Sequence, residues 1–141
     1  MIRVTCALIV QHDTILLAQL GAGSNHPFQW EFPGGKIENE ESGESCVKRE
    51  IKEELGVEIE ILANLEPVNY VYDFGEIQLI PFLCKLKSGK IKLNEHIDLK
   101  RVKWNHLQNL NMPAADKKLI QSEKNRMILK EYFREKMNQT G

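Results

Sequence analysis

Three glutamates stand close together in the segment KREIKEEL, at positions 50, 53 and 54. On a helix this spacing of i, i+3 and i+4 projects all three carboxylates from one face. Like charges so placed repel by about 0.2–0.5 kcal/mol per pair even when exposed, so a compensating cation is needed. Arg49 cannot satisfy three carboxylates, whereas a hard divalent cation can, because Mg²⁺ prefers carboxylate oxygens, waters and substrate phosphates. Taken alone, the segment is also typical of a solvated helix face.

The elements around these glutamates support a helix from Gly43 to Leu55. Ser42 is placed to act as the N-cap, Glu44 is favourable in the first turn, and Gly56 is a residue that typically ends a helix. The aliphatic residues at i, i+4 and i+8 form an adjacent face that we expect to pack on a sheet: Val47, Ile51 and Leu55.

A longer pattern surrounds the helix and decides between these interpretations. The chain carries, in order, Gly35, Glu41, Arg49, Glu50, Ile51, Glu53, Glu54, Gly56 and Val57. This set resembles the Nudix box, G-x5-E-x7-R-E-U-x-E-E-x-G-U with U a bulky aliphatic residue, without mismatch or gap. The flanking segments QWEFPGGKIE at 29–38 and PAAD at 113–116 resemble the MutT branch of that family.

The resemblance implies a metal centre and a catalytic set. Glu50, Glu53 and Glu54 are implied as metal ligands, with the carbonyl of Gly34 as a further ligand. The implied cofactor is Mg²⁺, with Mn²⁺ as a substitute. Glu53 is the expected residue to orient or deprotonate the attacking water, with Glu50 and Arg49 completing the catalytic set.

Other box residues are implied to be structural. Arg49 is expected to pair with Glu41 or with a box carboxylate and to hold the cluster in register, since arginine forms rigid bidentate carboxylate pairs. Gly35 and Gly56 are expected to serve backbone conformation and not chemistry.

The loop before the last predicted strand carries a further acid, Glu95, in the segment Leu93 to His96. MutT-like enzymes often use such an acid as a metal ligand or base, and an exposed loop carboxylate is the equal alternative. For the adjacent His96 we predict an exposed loop residue.

Four residues are candidates for substrate binding. By resemblance, Asp116 at the start of the final helix reads the base, although it is also a favourable first-turn acid. Phe32 packs in the core or lines the base pocket, and Lys36 contacts a phosphate or is solvated. Leu20 stands where many relatives carry arginine, which weakens the case for an oxidised purine. An ionised Asp116 would only accept hydrogen bonds, so we predict that UTP and dTTP are poor substrates.

The pattern of apolar residues predicts a mixed α/β domain. Strands are predicted at residues 2–10, 14–19, 30–32, 58–65, 68–73, 77–87 and 100–104, and a closing helix at 113–137. Residues 33–42 are predicted as a loop. The Nudix resemblance implies an α/β/α sandwich, with a mixed sheet between helices and the box forming a loop–helix–loop, over a single domain at 1–141.

Composition excludes several classes of protein. A formal net charge of −1 does not favour binding to long nucleic acid or to a membrane surface. Three dispersed cysteines, Cys6, Cys46 and Cys84, indicate reduced thiols and not a disulfide framework. The sequence shows no signal-peptide pattern and no long apolar run, so we expect the chain in the cytoplasm. We expect it to be a monomer or a small homo-oligomer.

The sequence therefore predicts a pyrophosphohydrolase that converts a (deoxy)nucleoside triphosphate to monophosphate and pyrophosphate. CTP or dCTP and 8-oxo-dGTP are the leading substrates. The alternatives are another nucleoside diphosphate derivative, such as ADP-ribose or a dinucleoside polyphosphate, and a module that senses a nucleotide without cleaving it.

Overall fold

The structure is a computed structural model that describes residues 1–140, and for residues 139 and 140 only the backbone. The described residues form strands β1 Ile2–Gln11, β2 Thr14–Gln19, β3 Trp30–Glu31, β4 Gly34–Lys36, β5 Glu58–Asn64, β6 Val68–Tyr72, β7 Gly75–Ser88 and β8 Asp98–Lys103. The helices are α1 Gly43–Leu55, α2 Ala114–Gln121 and α3 Glu123–Thr140, and a 3-10 helix covers Trp104–Asn109.

Strand β1 is the centre of a mixed sheet. It runs parallel to β7, from the pair Ile2–Ile77 to the pair Val10–Lys85. It pairs antiparallel with β2 and with β4. Strands β5 and β6 join β7, and β3 and β8 join β2, all antiparallel. Because apolar residues point to both faces of β1, residues 5–10 are all buried.

Helices cover both faces of this sheet. The apolar side of α1 packs against alternate residues of β1, such as Ala7 and Ile9, in one core cluster. Residues of β1 that point the other way, such as Leu8, pack with α2 and α3 in a second cluster. The arrangement confirms the predicted α/β/α sandwich.

The predicted ends of α1 are confirmed. Ser42 Oγ accepts a hydrogen bond from the Ser45 amide at 3.1 Å, which makes Ser42 the N-cap. Gly56 adopts a left-handed φ of 71° and its amide donates to the Lys52 carbonyl at 3.0 Å. The three predicted apolar residues of the helix, Val47, Ile51 and Leu55, are fully buried.

The prediction of a loop at 34–36 is wrong. These residues form β4, whose Gly34 lies opposite Cys6 of β1. A Cβ atom on Gly34 would lie 2.1 Å from the Thr5 carbonyl oxygen. The two backbones approach this closely only because Gly34 has no side chain.

The prediction of one closing helix is also wrong, because the chain bends at Ser122 between α2 and α3. Ser122 has an extended ψ of 125°. Its Oγ accepts a hydrogen bond from the Asn125 amide at 3.3 Å, so it caps the start of α3. After the bend, Leu129 and Phe133 of α3 are buried in the core, whereas Met127 is 65% exposed.

Two smaller features follow from the described residues. The three cysteines are buried and free, as predicted. Among residues 1–140, no helix has the length and apolar character needed to cross a bilayer.

Candidate active site

Arg49 forms hydrogen bonds with several residues of the Nudix box. Its Nε donates to Glu41 Oε2 at 3.1 Å and its Nη2 donates to Glu41 Oε1 at 2.6 Å, a two-point pair. Its Nη1 donates to Glu50 Oε1 at 3.0 Å and to both Glu53 oxygens at 3.3 Å. A fourth group, the Lys36 carbonyl, accepts from Nη2 at 3.3 Å. One guanidinium thus joins α1 to the segment before it, as the expected pairing with Glu41 requires.

The three helix glutamates differ in their access to solvent. The side chain of Glu53 is 52% exposed, that of Glu50 is 13% exposed, and that of Glu54 is 3% exposed. The face formed by the three carboxylates therefore runs from solvent at Glu53 into the interior at Glu54. Only Glu53 is freely accessible to water in this arrangement.

Burial and neighbouring acids shape the electrostatics of the centre. Burial, and then the charges of Glu31, Glu95 and Glu50, raise the pKa of Glu54 to about 10. Burial is also the main cause that raises the pKa of Glu50, opposed by Arg49 and assisted by Glu53 and Glu95. Glu95 is thus close enough to act on both buried carboxylates, although its role as a ligand stays a prediction.

His96 was predicted to be exposed, and this is wrong. Its side chain is only 4% exposed and lies between two carboxylates. Nε2 is 3.0 Å from Glu31 Oε2, and Nδ1 is 3.7 Å from Glu54 Oε2. A signal was available, because His96 directly follows the singled-out Glu95. Its burial, however, depends on Glu31, which lies 65 residues earlier.

Gly35 leaves the room that Glu50 occupies. A Cβ atom at position 35 would lie 2.2 Å from the Glu50 Cδ and 2.4 Å from its Oε2. Gly35 is therefore needed because a side chain at this position would have no room, since β4 passes directly over the Glu50 carboxylate.

No group of three His, Cys, Asp or Glu side chains is arranged to hold a metal ion in the part of the chain that the structure describes. Arg49 explains this, because it binds Glu50 and Glu53 together. The donors nevertheless fit a hard cation. They are carboxylates that repel one another, and the buried Glu54 Oε2 has no hydrogen-bond partner.

A cavity of about 90 Å³ lies beside this centre. Its lining includes Glu31, Phe32, Gly34, Tyr72 and Asp116. Typical ligand pockets measure roughly 300–1,000 Å³, so the cavity admits only part of a ligand without movement. A wider groove of about 810 Å³ lies elsewhere, at the α2–α3 bend, and contains none of the box residues.

Asp116 lies at the floor of this cavity, in the first turn of α2. It is 7% exposed, and its Oδ2 accepts a hydrogen bond from the Phe32 amide at 3.1 Å. Burial, and then the charge of Glu31, raise the pKa of Asp116 well above its usual range. A raised pKa shifts the balance towards the neutral carboxyl, which can donate as well as accept, whereas the prediction for UTP and dTTP took Asp116 as an ionised group that only accepts.

The other two substrate candidates lie apart from the cavity. The Lys36 side chain is exposed at the end of β4, and the Lys36 backbone carbonyl accepts a hydrogen bond from Arg49. Leu20 is half-buried, and its backbone bonds hold the loop at residues 20–29 together, from the Leu20 amide to the Gln29 carbonyl at 2.9 Å. Phe32 is 2% exposed, so it packs in the core as predicted, and it also lines the cavity, while its contact with a base stays a prediction.

The sheet lies between helices, and the helix that carries the glutamates follows a glycine-rich strand and ends at Gly56. Together these features define the class of protein to which the chain belongs. The chain belongs to the Nudix family, because residues 1–123 match the family model described as NUDIX domain. The resemblance drawn from the box is confirmed.

The names of individual relatives indicate the reactions that similar proteins catalyse. A CTP pyrophosphohydrolase of Escherichia coli (strain K12) is 48% identical over 58 residues, which are 41% of this chain and 43% of that protein. The chain thus spans less than half of that relative's length. An 8-oxo-dGTP diphosphatase of Buchnera aphidicola subsp. Acyrthosiphon pisum (strain APS) is 31% identical over 102 residues, 72% of this chain and 82% of that protein.

Solved structures of similar proteins have the same fold as this chain. The solution structure of the E. coli ORF135 protein has a TM-score of 0.77 at 29% identity, covering 92% of this chain and 90% of that one. The crystal structure of a MutT protein from Methanosarcina mazei Go1 also has a TM-score of 0.77, at 26% identity, covering 85% and 90%.

Proposed function

We propose that this chain is a pyrophosphohydrolase that converts a (deoxy)nucleoside triphosphate to a monophosphate and pyrophosphate, with a divalent cation as cofactor. The observation that carries the proposal is the position of the cavity. Gly34 and Glu31 line it, while the adjacent Gly35 lies against Glu50 and the Gly34 backbone forms a hydrogen bond with Glu54 of the box. A base held at Asp116 would therefore extend its phosphates towards the carboxylates.

Glu50, Glu53 and Glu54 are the proposed metal ligands, with Glu95 and the Gly34 carbonyl as further candidates. Mg²⁺ is the proposed ion and Mn²⁺ its substitute. A bound divalent cation lowers the pKa of coordinated water and screens charge on the phosphate oxygens. For Glu50 and Glu53 to serve, they must exchange the Arg49 guanidinium for the cation, and Glu41 then keeps Arg49 in place.

Glu53 is the proposed residue that orients or deprotonates the attacking water. It is the most exposed of the three helix glutamates, so water reaches it without a change in the fold. Arg49 is proposed to hold Glu41, Glu50 and Glu53 in register and not to touch substrate. Lys36 is exposed, its backbone carbonyl is bonded to Arg49, and its side chain is the proposed phosphate contact.

The leading substrates are CTP or dCTP and 8-oxo-dGTP, the compounds in the names of the two relatives above. Asp116 is the proposed base reader, with Phe32 packed beside it. Cytosine offers an amino donor next to a ring acceptor, which matches a neutral carboxyl. Uracil also offers a donor and an acceptor, so a neutral Asp116 no longer excludes UTP and dTTP by itself.

A turnover panel tests the proposal. It would compare CTP, dCTP, 8-oxo-dGTP, dGTP, UTP, dTTP, ADP-ribose and a dinucleoside polyphosphate, with Mg²⁺ and with excess EDTA. We expect a cytidine triphosphate or 8-oxo-dGTP to give the highest kcat/KM, and EDTA to abolish turnover. A flat response to all triphosphates, or preference for ADP-ribose, would overturn the substrate assignment.

Asp116→Ala and Asp116→Asn extend the panel to the base reader. Asparagine keeps an acceptor for the Phe32 amide but changes the groups offered to the base, while alanine removes both. We expect both variants to reorder the substrates. Asp98→Asn, at an exposed position at the start of β8, is the matched control. An unchanged ranking in both variants would exclude Asp116 as the base reader.

A further inference from the structure

A line of polar side chains connects the cavity to the box, and all of its members except the half-buried Glu31 are buried. Asp116 and Glu31 both line the cavity, and the charge of Glu31 acts on Asp116. Glu31 in turn meets Nε2 of His96 at 3.0 Å, and the opposite nitrogen of the same ring faces Glu54 at 3.7 Å. Each step joins residues from a different element: α2, β3, the loop before β8, and α1.

His96 has no assigned role in the proposed reaction, although its side chain is buried. Glu54 Oε2 and His96 Nδ1 are both buried and both lack a hydrogen-bond partner in the described residues. Two unpartnered polar atoms that face each other are costly unless something else is bound between or beside them. Their orientation therefore points to a ligand of Glu54 and not to the stability of the fold.

The ring also separates two acids. Glu31 is the strongest charged neighbour that raises the pKa of Glu54. With His96 absent, the two side chains would share one buried space. A carboxylate accepts hydrogen bonds only, so Glu31 takes its bond from the Nε2–H of the ring, which fixes the direction of the ring.

We propose that His96 is a positioning residue: its bond to Glu31 fixes the ring that holds the Glu54 carboxylate in the orientation in which it binds the cation. This inference rests on the proposed function, because it takes Glu54 as a metal ligand. It links the cavity for the base to the metal centre through Glu31, so that the two sites are held at one fixed distance.

Two variants of His96 test the roles of its two ring nitrogens separately. His96→Gln carries an amide about where Nε2 lies and retains a donor for Glu31. His96→Asn carries its amide about where Nδ1 lies and is too short to reach Glu31. The readout is the affinity of the nucleotide-free protein for Mn²⁺, measured by electron paramagnetic resonance, together with the thermal midpoint in EDTA.

We expect His96→Asn to weaken Mn²⁺ binding by about tenfold or more and His96→Gln to stay within about threefold, since residues behind metal ligands are worth about 10–100-fold in affinity. The same pair of changes at the exposed His106 should leave Mn²⁺ affinity unchanged. Equal Mn²⁺ affinities in both His96 variants, whether normal or reduced, would overturn the inference. Wild-type protein that binds no Mn²⁺ would instead overturn the proposed metal site.

A double-mutant cycle with Glu31→Gln guards against a general loss of packing. If His96 acts through Glu31, the loss caused by His96→Asn should shrink when Glu31 is already uncharged. A loss of the same size in both backgrounds, with lowered thermal midpoints, would show a purely structural role and refute the inference.

Discussion

At the scale of single residues, the helix glutamates have unequal positions and so should have unequal roles. Glu53 is mostly exposed, Glu50 lies under β4, and Glu54 is enclosed beside His96. Sequence spacing makes the three equivalent, because it reports only which helix face they share. What separates them is the neighbouring strand and loop.

We expect Glu53→Gln to remove most activity and to leave the fold intact. The amide has nearly the same shape, but it cannot act as a base and is a poorer ligand for Mg²⁺. Steady-state kinetics with the preferred nucleotide checks this, and Glu44→Gln, at an exposed position in the same helix, is the matched control. A loss of kcat of tenfold or less, about 1.4 kcal/mol, would make Glu53 peripheral.

The pairing with Arg49 should be visible as a low pKa in the titration of the Glu41 carboxyl. The hydrogen bond from Arg49, and then the hydrogen bond from the Glu38 backbone, lower the pKa of Glu41 from 4.5 to about 2. A lowered folded-state pKa means that the pair stabilises the fold above about pH 4.5 and that this contribution is lost as the pH falls towards 2. Carbon-detected NMR of the Glu41 carboxyl should show the low midpoint in the parent.

In Arg49→Ala, we expect this midpoint to return towards 4.5, and we expect both the thermal midpoint and kcat to fall. Arg126→Ala, at an exposed position in α3, is the matched control for loss of an arginine. An unchanged Glu41 titration in Arg49→Ala would show that the pair seen in the structure does not exist in solution.

At the scale of elements, β4 is the feature on which the site depends. Its two glycines lie so close to β1 and to Glu50 that neither position has room for a Cβ atom. The two glycines of this short strand therefore form the wall between the box helix and the cavity.

We expect Gly35→Ala to reduce kcat and Mn²⁺ affinity together by about tenfold or more, because the methyl group must displace the Glu50 carboxylate, a proposed metal ligand. Gly23→Ala is the matched control, since a Cβ atom there has nothing within 4 Å. Kinetics and Mn²⁺ titration of both variants check this. Normal Mn²⁺ affinity in Gly35→Ala would mean that Glu50 moves without cost or is not a ligand.

Elements set by local signals were predictable, and those set by distant contacts were not. Helix α1 carries its own caps and apolar spacing, so its bounds were confirmed. The bend at Ser122 depends on Asn125, whose side chain bonds the Glu66 amide at 2.6 Å, 59 residues away. The same holds for the site: the box glutamates follow from spacing, whereas the burial of His96 requires Glu31.

At the scale of the whole molecule, acids are concentrated where the elements meet. Glu31 comes from β3, Glu50 and Glu54 from α1, and Glu95 from the loop before β8, and their charges act on one another. Such a centre destabilises the fold in the absence of a cation, and binding of the cation to the native state alone should therefore stabilise it.

We expect Mg²⁺ or Mn²⁺ to raise the thermal midpoint over that in EDTA. At a hundredfold excess over Kd the gain is about 2.7 kcal/mol, which is several degrees for a domain of this size. Differential scanning calorimetry with NaCl at matched ionic strength provides the control. An identical midpoint with and without the divalent ion would contradict a metal centre in the free protein.

The parallel pairing of β1 with β7 has a consequence for how the chain is made. Residues 2–10 are synthesised some 75 residues before their partners at 77–85. At roughly 5–20 residues per second, this apolar strand waits about 4–15 seconds for its central neighbour. During that interval only its antiparallel partners β2 and β4 are available to it, and they pair with two and three of its residues. The strand at the centre of the finished sheet is therefore exposed to aggregation and to chaperones while the protein is being synthesised.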